Sequence, residues 1–370
     1  MTQSLLYLIR LGLDTTTTTD ENCQKLFSFS IEQWRDLMSL AERQGVLAIV
    51  VDGLQVLMES HKGEIVAVKE KPAEWQKWLL ERIGLLTQYE MRNHQQKKVI
   101  AELANIWSAE GIRMMVFKGQ ANASLYPKPE HRVVGDIDCW LFDHAKKGDE
   151  IAKVHGADVS FDWYRHSKIF YKGETIENHR VMSHTRGSKR KKAMEEEFKA
   201  MLKNSDLKTI EGCGNALMPS VLFNAYFLTY HGLHHFLSEG LRMKQILDWA
   251  MFLKVYQKEV DWETYNDFCI RYKLDKFAAV MNYIAAEFIG VALDSKSVLV
   301  DATYSGKVLN STLYDDDYLF NSGKSDWNVR WLLVKNMLGR DRWKYENIAQ
   351  ESVLKHLWGN AKGFLMKEDE

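Results

Sequence analysis

The feature that most constrains the fold is a pair of carboxylates on one short apolar run, Gly135-Asp136-Ile137-Asp138-Cys139-Trp140-Leu141. The run predicts a strand over 137–142, and side chains two apart on a strand point the same way. Asp136 and Asp138 therefore share one face while Ile137 points to the other. Two carboxylates this close repel each other unless a cation lies between them, and oxygen ligands of this kind suit Mg²⁺ or Mn²⁺. The residues ahead of the pair belong to the same design. Ile112 to Phe117 is apolar and rich in strand formers, and it stops at Lys118-Gly119, so it predicts a buried strand that delivers a turn. Gln120 to Tyr126 then suits a short helix, which Pro127 and Pro129 end. A helix entered through a glycine turn offers free N–H groups to phosphate. Lys118 adds a positive charge beside it, and a polar loop brings Arg132 in ahead of the carboxylates.

An Asp-x-Asp pair alone is more often a solvated turn; the order of parts is what distinguishes this one. Strand, Lys-Gly turn, short helix, Leu-Tyr-Pro, Arg, then Gly-Asp-Ile-Asp on a strand resembles the nucleotidyltransferase superfamily, and within it the bacterial family of uncharacterised nucleotidyltransferases. The resemblance is specific across Val116 to Leu141 and looser onward to about Gly290. It implies a small mixed sheet flanked by helices, with two strand carboxylates and a third from a later strand holding a divalent metal and a nucleoside triphosphate. Lys118, Gly119, Gln120 and Arg132 are then the nucleotide-binding residues. The wider superfamily has Gly-Ser or Gly-Gly at the phosphate turn, whereas this chain has Lys118-Gly119-Gln120, a variant that fits the narrower family.

With 370 residues, 46% of them hydrophobic, the chain can bury a large core and more than one structural unit. Its net charge of −1 provides no global basic field for a polyanionic partner. Cys23, Cys139, Cys213 and Cys269 form no Cys-x-x-Cys motif and read as free thiols of a reducing compartment. No signal pattern opens the chain, and the longest apolar stretch, Phe277 to Leu293, is broken by Asn282 and Glu287. The expectation is a cytoplasmic protein without a transmembrane segment. Its fold class is α+β: an N-terminal helical region (1–110), a catalytic core (111–218) and a C-terminal helical region (219–370). Ser30 and Gln33 have the spacing of a capping box, Pro72 suits a first helical turn, and a long amphipathic helix is expected over Trp75 to Ala109.

In the middle region, Ala157 to Tyr164, Lys168 to Tyr171 and Thr175 to Val181 alternate as a half-buried antiparallel meander would. The third strand carries Glu177 and His179 on one face, and it resembles the family's strand with an acidic residue followed two places later by His. Glu177 is the candidate third carboxylate, as metal ligand or as base toward an acceptor hydroxyl. Asp158 and Asp162, on the first of these strands, remain rivals at this stage. The basic run Arg186 to Lys192 leads into Glu195-Glu196-Glu197 and reads as a self-paired solvated helix face. Asp315 to Ser325 reads as a loop, and the tail from Trp327 to Leu365 as a basic, aromatic-rich helix.

Ser220 to Phe236 predicts a helix bearing His231, His234 and His235, and Leu241 to Tyr256 another. Gly232 stands where a zinc metalloprotease helix would need Glu, so these histidines do not make that motif. Family relatives look similar here, and His179, His231, Arg242 and Asp248 are carried over as substrate-side residues. The activity implied is transfer of a nucleoside monophosphate from an NTP to an unidentified acceptor, whether small molecule, protein or RNA. The alternative is a nucleotide-binding or regulatory protein on the same fold without turnover. A sugar-nucleotide glycosyltransferase also uses Asp-x-Asp, but it needs alternating strands and helices ahead of the motif, where this chain reads as helical.

Overall fold

Ser30 accepts a hydrogen bond from the Gln33 N–H and the Gln33 side chain accepts one from the Ser30 N–H, so the capping box opens a helix where its spacing requires. The computed structural model describes residues 1–16, 22–185, 188–203, 207–294, 296–315 and 326–358. The 315–325 loop beyond its first residue, Arg186, and the end of the 327–365 tail lie outside them. The chain begins with α1 (Thr2–Gly12), α2 (Asn22–Phe27), α3 (Ile31–Arg43), α4 (Leu47–His61), α5 (Val66–Glu70) and α6 (Pro72–Ala109). The middle follows as β1 (Met115–Phe117), α7 (Gly119–Ala123), β2 (Ile137–Trp140), α8 (Ala145–Val154), β3 (Asp158–Trp163), β4 (His166–Tyr171), β5 (Glu174–His179) and α9 (Lys189–Lys203). Then come α10 (Val221–Ser238), α11 (Met243–Tyr256), α12 (Trp262–Tyr272), α13 (Asp275–Tyr283), α14 (Ser305–Tyr314) and α15 (Asp326–Leu338). The class is α+β, with a small mixed sheet between helical regions.

The five strands run in the order β1-β2-β5-β4-β3. β1 is antiparallel to β2, β2 is parallel to β5, and β5, β4 and β3 form the antiparallel meander. Several elements are shorter than the apolar runs that announced them. β2 stops at Trp140 because Phe142 and Asp143 both turn to positive φ, at 50° and 69°. The helix expected over 120–126 is α7 alone, after which Leu125 and Tyr126 bond back three residues, to Asn122 and Ala123, as turns. α13 continues as a π turn over Ile284–Phe288.

Alternation along the strands divides the sheet between two cores. Val116, Ile137, Cys139, Ile169 and Ile176 pack with Val99, Ile100, Leu103 and Trp107 of α6. Met115, Phe117 and Trp140 join a larger apolar cluster that runs from Leu5 of α1 through Phe223 and Phe227 of α10 to Ile348, so N- and C-terminal helices share one continuous core. Phe117 stacks on Phe227 at 4.7 Å between ring centres, which seats α10 against the functional face of the sheet.

Candidate active site

The parallel pairing of β2 with β5 sets Asp138 directly beside Glu177 and Trp140 beside His179. Asp136 stands just ahead of β2, exposed in the same cleft. On β4 the antiparallel register puts Lys168 opposite Glu177 and His166 opposite His179. His179 Nε2 donates to Asp138 Oδ1 at 3.1 Å and lies 3.7 Å from Glu177 Oε2; His166 Nε2 is 3.6 Å from Glu177 Oε1. Asp158, a rival to Glu177, lies exposed on β3, separated from β2 by β5 and β4. The side chain of Asp162, the other rival, is outside the described residues.

The electrostatics follow from this crowding. Burial works against ionisation of Asp138, but Lys118 and His179 outweigh it and hold the carboxyl well below its ordinary range. Glu177 is pushed upward, first by burial and then by the charge on Asp138. Burial, with the charges of His179, Arg165 and Lys168, brings His166 down to about 4, a neutral imidazole at physiological pH. Ligand atoms of His166, Glu177 and His179 lie within 4.8 Å of one another, and Asp138 adjoins them. Carboxylate oxygens beside the neutral imidazole of His166 are a donor set that fits a divalent cation, and an imidazole nitrogen suits Mn²⁺ better than Mg²⁺.

The Lys-Gly turn lies across from these acids. Lys118 caps α7 at φ 50°, ψ −149°, and Gly119 follows at φ 45° with open space where a side chain would project. The Lys118 ammonium is 2.9 Å from Asp138 Oδ2 and 2.8 Å from His231 Nε2. His231 is kept neutral by burial and by Lys118, so this nitrogen accepts from the lysine; His235 Nε2 lies 3.0 Å from the same nitrogen. His231, carried over as a substrate-side residue, is therefore a holder of Lys118.

Two more expected contacts are redirected. Gln120 buries its side chain against α6, donating to Asn93 Oδ1 at 2.8 Å, so only its main chain is left to face the turn. Arg132, expected on the nucleotide, and Asp248, expected on the second substrate, are spent on each other: Nε and Nη2 reach the two carboxylate oxygens at 2.8 and 2.6 Å, and Tyr126 Oη donates to the same carboxylate at 2.8 Å. This buried fork raises the Arg132 pKa against its own desolvation and fixes the loop ahead of β2 to α11. Arg242 does line the cleft, where its main-chain N–H donates to Gln245.

The cleft has a volume of about 700 Å³ and takes in Lys118, Gly119, Asp136, Asp138, Glu177 and the α10 histidines. His166 and Lys244, which also line it, were not singled out from sequence. His166 was within reach: counting back through a tight turn at Lys172-Gly173 pairs 168 with 177 and 166 with 179. Among the described residues no helix is long and apolar enough to cross a membrane. No curated protein and no solved structure matches the chain. The family model for uncharacterised nucleotidyltransferases matches residues 30–290, which takes in the cleft and every strand around it, and the chain belongs to that family.

Proposed function

We propose that the protein transfers a nucleoside monophosphate from a nucleoside triphosphate to a hydroxyl or phosphate acceptor, with release of pyrophosphate, and that the reaction depends on Mg²⁺ or Mn²⁺. The observation that carries this reading is the registered pair Asp138 and Glu177 on adjacent parallel strands, faced by the Lys118-Gly119 turn. Asp136, Asp138 and Glu177 would hold the cation, with His179 and His166 beside them. A bound divalent cation would supply positive charge against the triphosphate and polarise the α-phosphorus.

The remaining steps belong to the chain. Gly119, without a side chain, lets phosphate oxygens approach the turn, and the Lys118 ammonium adds charge there. The acceptor oxygen forms a bond to the α-phosphorus as the bond to the bridging oxygen breaks, and the pyrophosphate leaves with that electron pair. Glu177 takes the acceptor proton. His231 keeps Lys118 against Asp138 throughout.

The test is incubation with each labelled nucleoside triphosphate and Mg²⁺ or Mn²⁺, alone and then with cell extract, following the nucleotide label. Label transfer is expected, faster with Mn²⁺. Asp138→Asn should weaken metal-dependent nucleotide binding, and Glu177→Gln should lower transfer by about 10²-fold or more. Binding without transfer to anything in extract would leave a nucleotide-binding protein, and absence of binding would remove the reading altogether.

A further inference from the structure

Lys244 enters the cleft from the first turn of α11 by a route that passes over Gly45 and ends beside Gly135. Its main-chain N–H donates to the Gln44 carbonyl at 3.2 Å. Its stem then crosses Gly45, where a Cβ would lie 3.0 Å from Lys244 Cδ and where φ is +69°. The ammonium ends 4.0 Å from the place a Cβ would occupy on Gly135, the residue before Asp136. A side chain at Gly45 would crowd the lysine stem on this path, whereas at Gly135 a Cβ would only touch the ammonium.

Among the described residues no carboxylate pairs with this ammonium. Asp248, one helical turn along, is already held by Arg132 and Tyr126. Burial, together with the charges of Arg132, Arg242 and Lys118, lowers Lys244 to about 8, and Asp248 only partly opposes them. A lysine kept in such company without a protein partner destabilises the fold that carries it. A cation placed this way has its counter-charge supplied by a ligand.

We infer that Lys244 binds the β- and γ-phosphates of the donor, the part that leaves as pyrophosphate. The inference rests on the nucleotidyltransferase reading above and specifies one contact within it. Two facts choose this part of the donor. Lys244 ends one residue from the carboxylate set, so an anion on it is continuous with a group held there. Arg132 is committed to Asp248 and Lys118 shares its charge with Asp138, whereas the terminal phosphates bring several negative charges, more than a divalent cation alone offsets.

Calorimetric titration of wild type, Lys244→Met and Lys244→Arg tests it. The ligands are ATP, CTP, GTP and UTP, their monophosphates, and inorganic pyrophosphate, with melting temperatures measured alongside. In Lys244→Met, affinity for the preferred triphosphate and for pyrophosphate should fall about ten- to hundredfold. The monophosphate should stay within about twofold, Lys244→Arg should recover part of the loss, and the melting temperature should hold or rise. Equal loss for mono- and triphosphate, unchanged triphosphate affinity, or a lowered melting temperature with loss of every ligand would each overturn the assignment. If wild type itself binds neither triphosphate nor pyrophosphate, the functional reading fails as well; if it binds them and Lys244→Met matches it, only this contact fails.

Discussion

Lys118 occupies a backbone region that glycine enters readily and other residues reach at a penalty of about 1–3 kcal/mol. The strain is opposed by what the side chain gains, an ion pair with Asp138 and a hydrogen bond to His231. His231 acts here through an acceptor nitrogen, which sets the expectation for substitutions. His231→Ala should lower transfer about tenfold or more, and His231→Gln, whose amide oxygen can accept, should recover a part of it. Equal rates in all three proteins, measured by label transfer, would return the histidine to the core. The carboxylates were legible in the sequence because a strand's two-residue period places them without knowledge of the fold. Arg132 was legible as a cation, but its partner stands 116 positions away, and periodicity along one segment reports faces, never which distant segment a face meets.

At the scale of elements, α1 and α4 approach more closely than any side chain permits. A Cβ on Gly53 would lie 1.9 Å from the Leu8 carbonyl oxygen, and one on Gly12 would lie 2.0 Å from that of Ile49. Gly53→Ala must push the helices apart and should destabilise by about 2–3 kcal/mol. Gly84→Ala, on the exposed side of α6 with nothing within 4 Å, should be stabilising by about 0.5–1 kcal/mol. Urea denaturation of the two variants gives the comparison, and similar midpoints would contradict the close approach. Helices were the most readable elements, since Ser30 and Pro72 mark their starts by local chemistry. Strand ends were less so, because β2 ends through backbone turns at Phe142 and Asp143, residue types that give no such warning.

Across the whole molecule, His131 joins three parts of the chain: Nδ1 lies 2.6 Å from Asp52 of α4 and Nε2 3.0 Å from Glu90 of α6. Burial lowers its pKa, but the two carboxylates prevail and the net shift is upward. A raised folded value means that this stabilisation is fully present below the unfolded pKa of about 6.5 and is lost as pH rises through the folded value. The buried neutral histidines His166, His184, His231 and His234 have the opposite sign, and their contribution is lost as pH falls below about 6.5. Melting temperature should therefore decline as pH rises above about 6.5, and His131→Gln should flatten that limb while leaving the acid limb in place; an unchanged alkaline limb would show that the clamp contributes nothing. A further consequence follows from α6. Asn93 donates to the carbonyls of Pro129, Glu130 and Arg132, and Gln96 to that of Gly135, while Gln120 donates back to Asn93. The helix works as a jig: the separation of the Lys118-Gly119 turn and the carboxylates is copied from one rigid rod instead of being negotiated by two loops. One residue added between Gln96 and Val99 would swing those amides by about 100° relative to the face packed on the sheet, and the two halves of the cleft would lose their common gauge.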